Sequence, residues 1–352
     1  MKIKSKKKVI VTSIVSVLVL TIFTAFMTQV GYGGKYQDKN GKYNHLKTST
    51  SYSHIYNHPI WEGSGRDFFS SFPDDKTTSI TSFMSVKALC HWCKWDSKAT
   101  IDALNYMLDK ANEGKTGFYN VYSEEERKEK PYLDRAKLFF MKGEKDKPLA
   151  IIAAGGGYTT VRSDTEAFPY AWKLNELGYN VFVLRYRVGE DLTITGNEDV
   201  VEEASKDMIR AISYIKDNSY TFDVNMDNYT LWGSSAGGGI ISAFSYKCQK
   251  QSFDELSLPR PAAQMLIYTH AAYFDKLTFQ KDDVPTFTIV GENDTYSGDI
   301  IMDRKVPEME AAGMKVEYHK YKDYVHGTGL GIGTSAENWI YDAVDFWNDM
   351  ML

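Results

Sequence analysis

From about residue 114 to its end, the chain alternates short apolar runs with longer amphipathic segments. The short runs are rich in Val, Ile and Leu, and they predict eight strands near Gly117–Tyr122, Ala136–Met141, Leu149–Ala153, Val181–Arg185, Tyr229–Trp232, Met265–Thr269, Thr286–Val290 and Val316–Tyr321. The longer segments predict helices near Glu166–Leu177, Val200–Lys216, Ala236–Gln249, Ile301–Ala312 and Ser335–Met350. Such an order is typical of a mostly parallel sheet with helices on both faces. We therefore expect an α/β domain over residues 114–352.

The first 34 residues have the composition of an export segment. Five lysines precede an uncharged, largely apolar run, namely Lys2, Lys4, Lys6, Lys7 and Lys8. Residues 9–30 are long enough to cross a bilayer as a helix, which takes about 20 residues. Because good cleavage sites are missing, a cleaved signal peptide and an uncleaved membrane anchor both stay open. In either case the lysines stay inside, and the body of the protein is expected to be extracellular, secreted or anchored to the membrane.

The charge of the remaining chain argues against polyanionic partners. The sequence has 41 basic and 46 acidic residues, and without the five N-terminal lysines 36 basic residues are left, a net charge of −10. An acidic body repels nucleic acid and offers no basic stripe to release its counterions. We therefore expect a neutral small-molecule or carbohydrate substrate and no nucleic acid.

The three cysteines are Cys90, Cys93 and Cys248. The C-x-x-C spacing of the first two fits a redox pair, half a zinc site or a local disulfide. A structural zinc site needs four ligands, and no second pair with suitable spacing is evident. Buried or disulfide-bonded cysteines are the favoured interpretation, and we expect neither a metal nor a cofactor.

Residues 35–113 form an N-terminal extension, and its first part has no sustained hydrophobic period. Residues 35–75 are rich in Tyr, Ser, Lys, Gly and Asn and resemble a linker that becomes ordered against another part of the chain. Residues 78–113 are expected to be helical, with an apolar face made by Ala103, Leu104, Met107 and Leu108. A lid, a wall of the substrate pocket and a spacer are all compatible with this segment.

The motif with the clearest chemistry is G-x-S-x-G at Gly233-Ser234-Ser235-Ala236-Gly237. It lies between a predicted strand and a predicted helix, which is the context of a nucleophile elbow. The small flanking residues allow a strained turn that exposes the Ser235 hydroxyl at the start of the helix. A Gly/Ser-rich turn without chemistry is the alternative.

A serine nucleophile needs a base and an orienting acid, which follow it along the chain in this arrangement. Three histidines follow Ser235, and His326 is favoured because it lies in a glycine-rich loop between the last strand and the last helix. His270 precedes any good acid, and His319 falls inside a strand. Asp294, after the penultimate strand, is favoured as the acid over Glu292.

The tetrahedral intermediate of acyl transfer also needs N–H donors for its oxyanion. Residues 154–158, Ala-Gly-Gly-Gly-Tyr, follow the predicted strand Leu149–Ala153, and glycines there let the backbone approach a ligand closely. The N–H groups of Gly156, Gly157 and Ala236 are the expected oxyanion hole. A phosphate loop is disfavoured because neither G-K-[ST] nor G-x-G-x-x-G is present.

Together these motifs resemble the α/β-hydrolase esterases of the acetyl esterase, lipase and feruloyl-esterase-like group, over roughly residues 100–352. The segments that carry the resemblance are Gly155-Gly156-Gly157-Tyr158, Tyr186-Arg187-Val188, Trp232-Gly233-Ser234-Ser235-Ala236-Gly237, Gly291-Glu292-Asn293-Asp294 and His326-Gly327-Thr328-Gly329-Leu330. They are similar to a bacterial branch often described as acetyl xylan esterases. Ala154 departs from the usual H-G-G-G motif, which puts the outer support of that loop in question.

The expected function is that of an exported serine esterase with Ser235, Asp294 and His326 as its triad. The resemblance implies a short acyl group, acetyl above all, with a carbohydrate as a candidate for the alcohol. Two alternatives remain open: a serine peptidase of the same fold, and a non-catalytic module that binds cell-wall glycan.

Overall fold

A computed structural model describes residues 30–69, 83–93, 95–251, 253–270, 274–292, 294, 296 and 299–351. Within these ranges the side chains of residues 92, 93 and 246–251 are not described. The expected export segment, residues 1–34, falls mostly outside the described residues. In the described part of the chain, no helix has the length and apolarity that a membrane span requires.

A single eight-stranded sheet forms the centre of the described structure. Its strands are β1 (Thr116–Asn120), β2 (Lys137–Met141), β3 (Leu149–Ala153), β4 (Asn180–Arg185), β5 (Thr230–Ser234), β6 (Ala263–Ile267), β7 (Thr286–Gly291) and β8 (Val316–Tyr321). Their order in the sheet is β1-β2-β4-β3-β5-β6-β7-β8. β2 pairs antiparallel with β1 and β4, and all other pairs are parallel. The expected α/β class and all eight predicted strands are confirmed.

The central strands are buried along their whole length, as their Val/Ile/Leu-rich sequences predict. Every residue of β3, β4, β5, β6 and β7 is buried, whereas the edge strand β8 is mostly half-buried. Ala153 of β3 pairs with Gly233 of β5, and Ser234 of β5 pairs with Ile267 of β6. The loops that follow β3, β5 and β6 therefore leave the same edge of the sheet side by side, where parallel α/β sheets place their ligands.

Helices cover the sheet and connect its strands. They are α1 (Tyr52–Tyr56), α2 (Gly65–Phe68), α3 (Val86–Cys93), α4 (Ser97–Asn112), α5 (Glu124–Glu129), α6 (Ser163–Glu166), α7 (Phe168–Glu176), α8 (Gly189–Leu192), α9 (Asn197–Asp217), α10 (Ser219–Phe222), α11 (Ala236–Gln251), α12 (Asp299–Ala311) and α13 (Trp339–Met350), with 3₁₀ turns at Pro59–Trp61 and Pro131–Arg135. The helix predicted over Glu166–Leu177 is split, because the backbone at Ala167 leaves helical geometry. Glu166 consequently ends α6 instead of starting the longer helix.

The extension before β1 packs into the main core. Trp61 is buried, and its ring stacks on Phe168 of α7 with the ring centres 5.6 Å apart. In α4 the apolar face predicted from the sequence is buried, and Tyr106 on its flank donates a hydrogen bond to Asn175 of α7 at 3.0 Å. Within residues 35–69 the short helices α1 and α2 have buried aromatic rings, namely Tyr52, Tyr56 and Phe68. The domain boundary at residue 113 stays a prediction.

Candidate active site

Ser235 occupies a sharp turn between β5 and α11. Its φ is +49°, which a residue other than glycine adopts only when the surroundings impose it, at a cost of about 1–3 kcal/mol. The surroundings do so on both sides of the residue: the Ser235 N–H donates to the carbonyl oxygen of Ile267 at 2.9 Å, and its own carbonyl oxygen accepts from the N–H of His270 at 3.0 Å. The strand–turn–helix predicted for this motif is present.

The two glycines of the motif are required by the close approach of α11 to the sheet. A Cβ at Gly237 would overlap the carbonyl oxygen of Ala153 at the end of β3, and one at Gly233 would lie 2.7 Å from the N of Gly238. These clashes explain the spacing of the glycines without reference to any ligand. Because neither glycine has a Cβ, the first turn of α11 lies directly against the end of β3 and the loop that follows it.

His326 and Asp294 lie beside Ser235 in a continuous line of hydrogen bonds. Ser235 Oγ is 2.9 Å from His326 Nε2, and His326 Nδ1 is 3.0 Å from Asp294 Oδ2. The Asp294 side chain is 1% exposed, and its other oxygen accepts the N–H of Tyr296 at 2.9 Å. Glu292, the alternative acid, is exposed. The structure therefore brings together the serine, the histidine and the acid that the sequence favoured.

The other two histidines after Ser235 have different positions. His319 lies on β8 and is 2.6 Å from Glu317 of the same strand. His270 is near the site, where burial and the neighbouring His326 lower the pKa of its imidazole. The ring of His326 itself is 21% exposed and lies between two tyrosine rings, Tyr268 at 4.9 Å and Tyr296 at 5.3 Å between centres.

The glycine loop after β3 adopts a conformation that side chains would block. Gly156 has φ +137° and Gly157 has φ +63°, and a Cβ at Gly156 would overlap the carbonyl oxygen of Thr160. Gly155 packs against the nucleophile turn, since a Cβ there would lie 2.8 Å from Cβ of Ser235. Ala236 is the first residue of α11, so its N–H has no partner within the helix. The three expected N–H donors thus belong to two segments in contact with each other.

Comparison with known proteins supports this architecture. Residues 138–266 match the BD-FAE family model, a range that contains the glycine loop and Ser235 but ends before Asp294 and His326. No curated protein matches the sequence. Among solved structures, an α/β hydrolase from a Medee basin deep-sea metagenome library is 25% identical over 61% of this chain and 93% of its own, with a TM-score of 0.51.

Two further solved structures align over nearly the same share of this chain. A carboxylesterase from Lactobacillus plantarum is 19% identical over 60% of this chain and 92% of its own, with a TM-score of 0.52. An acetyl ester-xyloside bifunctional hydrolase from Caldicellulosiruptor lactoaceticus is also 19% identical, over 60% and 88%, with a TM-score of 0.50. The chain has the α/β-hydrolase fold. The resemblance to esterases of that fold, expected from the motifs, is confirmed.

In this α/β-hydrolase the glycine loop is supported by residues other than the histidine of the H-G-G-G motif. The hydroxyl of Tyr186 donates to the carbonyl oxygen of Ala154 at 2.7 Å, and the buried carboxyl of Glu166 accepts the N–H of Gly155, also at 2.7 Å. Tyr186 was part of the resemblance, but no sequence signal marked Glu166. The doubt raised by Ala154 is therefore answered by two buried side chains.

A second network holds the histidine loop of the α/β-hydrolase against the nucleophile turn. Tyr268 OH accepts the N–H of Gly329 at 3.3 Å and lies 3.2 Å from Tyr170 OH, which in turn lies 3.0 Å from Ser234 Oγ. Tyr324 OH donates to the carbonyl oxygen of Gly329 at 2.7 Å. Sequence reasoning missed these buried tyrosines, because aromatic residues within apolar runs usually do no more than pack in the hydrophobic core.

Of the cysteine motif, the structure describes the side chain of Cys90. Cys90 is a buried free thiol, and burial together with the nearby Asp164 raises its pKa to about 12. Redox-active thiols have a lowered pKa instead. The side chains of Cys93 and Cys248 are not described. Among the described residues, no three His, Cys, Asp or Glu side chains are grouped so that they could hold a metal ion.

Proposed function

We propose that this chain is a serine carboxylic ester hydrolase with Ser235, His326 and Asp294 as its catalytic triad. The observation that carries the proposal is the unbroken line of hydrogen bonds from the buried Asp294 through His326 to Ser235. Ser235, at the end of this line, lies on a strained turn in contact with the glycine loop. Nucleophilic acyl transfer requires such an arrangement.

In the acylation step, Ser235 Oγ attacks the carbonyl carbon of the ester while His326 Nε2 takes the hydroxyl proton. Asp294 holds the Nδ1–H of the imidazole, which keeps Nε2 free to accept that proton and stabilises the imidazolium that forms. The carbonyl oxygen becomes an oxyanion bound by the N–H groups of Gly156, Gly157 and Ala236. Collapse of the tetrahedral intermediate breaks the bond to the alcohol, which leaves with the proton from His326.

In the deacylation step, water attacks the carbonyl carbon of the acyl-enzyme and gives a proton to His326 Nε2. The second tetrahedral intermediate uses the same oxyanion donors. Its collapse breaks the bond to Ser235 Oγ, which recovers its proton from His326 as the free acid leaves.

We propose a short acyl group, acetyl above all, on a carbohydrate alcohol. A small acyl pocket is supported by Ser235 being only 7% exposed. A carbohydrate is supported by Tyr296, which is 74% exposed beside His326 and offers a flat face to a sugar ring. The neighbour from Caldicellulosiruptor lactoaceticus is named as a hydrolase of both acetyl ester and xyloside.

We further propose that the enzyme acts outside the cell, either secreted or held at the membrane by its N-terminal segment. The support is the sequence of residues 1–34. Acetylated plant or wall polysaccharides are substrates that an exported enzyme meets.

The first experiment is hydrolysis of p-nitrophenyl esters, from acetate to octanoate, by the full-length chain in mild detergent. We expect acetate to be the best substrate and Ser235→Ala to lower kcat by about 10³-fold or more. Ser242→Ala is the matched control, since Ser242 is a buried serine of α11 whose hydroxyl bonds the carbonyl oxygen of Gly238. Release of acetate from acetylated xylan then tests the natural alcohol.

Two outcomes would contradict the esterase proposal. A folded wild-type protein that hydrolyses peptide p-nitroanilides but no ester would indicate the serine peptidase. A protein that hydrolyses neither but binds cell-wall glycan equally well with and without the Ser235 hydroxyl would indicate a non-catalytic module.

A further inference from the structure

We propose that Glu166 is a positioning residue that acts through both Gly155 and His326, serving as a second buried carboxylate behind the triad. The inference rests on the proposed function. Glu166 ends α6, is 5% exposed and takes no part in the acyl-transfer steps described above.

Glu166 is in direct contact with the glycine loop. One oxygen of Glu166 accepts the N–H of Gly155 at 2.7 Å, and the carbonyl oxygen of Gly155 accepts the N–H of Arg162 at 2.9 Å. The N–H and the carbonyl oxygen of Gly155 are therefore both held by residues of one short segment, 162–166. In a trans peptide the C=O and N–H point in opposite directions, so fixing the Gly155 carbonyl also sets the direction of the Gly156 N–H. That N–H is the first proposed oxyanion donor.

The carboxyl of Glu166 also lies close to the histidine loop. A Cβ built on Gly327, the residue directly after His326, would lie 3.6 Å from the other oxygen of Glu166 and 3.4 Å from Nε1 of Trp95. His326 already uses both ring nitrogens, one on Ser235 and one on Asp294. Glu166 therefore acts on the imidazole through space and does not compete with Asp294 for Nδ1.

The surroundings of the Glu166 carboxyl also couple it to His326. Within the described residues, the hydrogen-bond partner of the Glu166 carboxyl is the neutral Gly155 N–H. A buried carboxylate is costly unless nearby charges or hydrogen bonds compensate it. Burial raises the pKa of Glu166, and a positive charge on His326 opposes that rise more than the Gly155 N–H or Arg162 does. The interaction is mutual, so a charged Glu166 favours the imidazolium formed in each transition state.

Other titratable groups also face this pair. Those around Glu166 are Arg162 and Asp164 on its own turn and the phenols Tyr170, Tyr186, Tyr268 and Tyr324 from neighbouring elements. Those around His326 are Asp294, His270, Tyr268 and Tyr296. Burial raises the pKa of the four phenols around Glu166, and Glu166 raises it further, so they stay neutral over the pH range of an esterase assay.

The test compares Glu166→Gln with Glu166→Ala in the full chain, using p-nitrophenyl acetate between pH 5 and 9. Glutamine keeps an acceptor for the Gly155 N–H but removes the charge. We expect kcat to fall about tenfold with KM nearly unchanged, and the acidic limb of kcat/KM to move to lower pH by about half a unit or more. Alanine removes both contacts, and we expect a loss of about 10²–10³-fold, comparable to loss of an oxyanion donor. Glu176→Gln, an exposed glutamate at the end of α7, is the matched charge control.

A wild-type rate and pH profile in Glu166→Gln would overturn the charge role and leave Glu166 as a support for Gly155 alone. Wild-type rates in both variants would overturn the whole proposal. The exchange of the Gly155 amide proton with solvent, followed by NMR, tests the Glu166 contact without turnover: it should be faster in Glu166→Ala than in the wild type and in Glu166→Gln. An unchanged exchange rate in Glu166→Ala refutes the contact even in a protein that hydrolyses no ester, and a faster one supports it there, so the two proposals fail separately.

Discussion

The substitution Asp294→Asn tests the proposed relay at its most buried member. Both carboxylate oxygens are in use, one bonded to His326 Nδ1 at 3.0 Å and the other accepting the N–H of Tyr296 at 2.9 Å. An asparagine has one acceptor oxygen and one NH₂ group for these two positions. If its oxygen takes the Tyr296 N–H, the NH₂ group meets Nδ1 and forces the proton onto Nε2, where the ring no longer accepts the Ser235 proton.

The opposite orientation of the amide does not restore the site. The NH₂ group would then face the N–H of Tyr296, and a buried donor without an acceptor costs about 1–3 kcal/mol. We therefore expect the wrong tautomer to dominate and kcat to fall by about 10³–10⁴-fold, or about 4–5 kcal/mol of transition-state stabilisation.

The assay is kcat for p-nitrophenyl acetate at pH 7.5, with thermal unfolding as a check on folding. Asp323→Asn serves as the control, because Asp323 is an exposed aspartate that bonds Ser335 on the surface. A rate for Asp294→Asn within tenfold of the wild type would refute the reasoning. Loss of activity in Glu292→Gln together with an active Asp294→Asn would transfer the role to Glu292.

Two further predictions concern buried groups around the site and in the extension. Tyr186→Phe removes the hydroxyl that donates to Ala154 and leaves that buried carbonyl oxygen unpaired, so the free energy of unfolding in urea should fall by about 1–3 kcal/mol. The exposed Tyr220→Phe should change it by less than about 0.5 kcal/mol. Burial lowers the pKa of His58 to about 4, so on acidification the unfolded chain binds the extra proton before the folded one does. The free energy of unfolding should therefore fall as the pH drops from about 6.5 to 4, by up to about 3 kcal/mol from this residue. His58→Asn keeps an acceptor for the N–H of Ile60 and should flatten that fall, and an unchanged slope would contradict the assignment.

The central strands β3 to β7 were predictable because each of their apolar runs is buried along its whole length. The largest error is at β6, predicted over Met265–Thr269 and found at Ala263–Ile267. Tyr268 has φ +36°, a backbone conformation incompatible with a strand, and its apolar ring gave no sign of that turn. The positions of Ser235, Asp294 and His326 were predictable for a related reason, since loops after parallel strands meet at one edge.

The support of the site was much less predictable. The sequence predicts Glu166 as the first residue of an amphipathic helix, and nothing in its spacing shows that its carboxyl returns to Gly155, eleven residues earlier. In residues 35–75 the helices α1 and α2 have only five and four residues. A segment that short has too few turns for apolar periodicity, although its aromatic side chains fill the core.

The adjacent serines of the motif show how one backbone dihedral decides the chemistry. Ser234 is the last residue of β5 and is fully buried, with its Oγ 3.0 Å from the hydroxyl of Tyr170. Had β5 continued with extended geometry, the side chain of Ser235 would simply have alternated to the other face of the sheet, under the helices that cover it. The positive φ at Ser235 ends the strand there and directs Oγ to His326 at the open edge. The same turn starts α11 at the next residue, so the Ala236 N–H stays unpaired within the helix, as an oxyanion donor must be. A single strained residue therefore accounts for both the hydrogen bond of the Ser235 hydroxyl to His326 and the availability of the neighbouring Ala236 N–H.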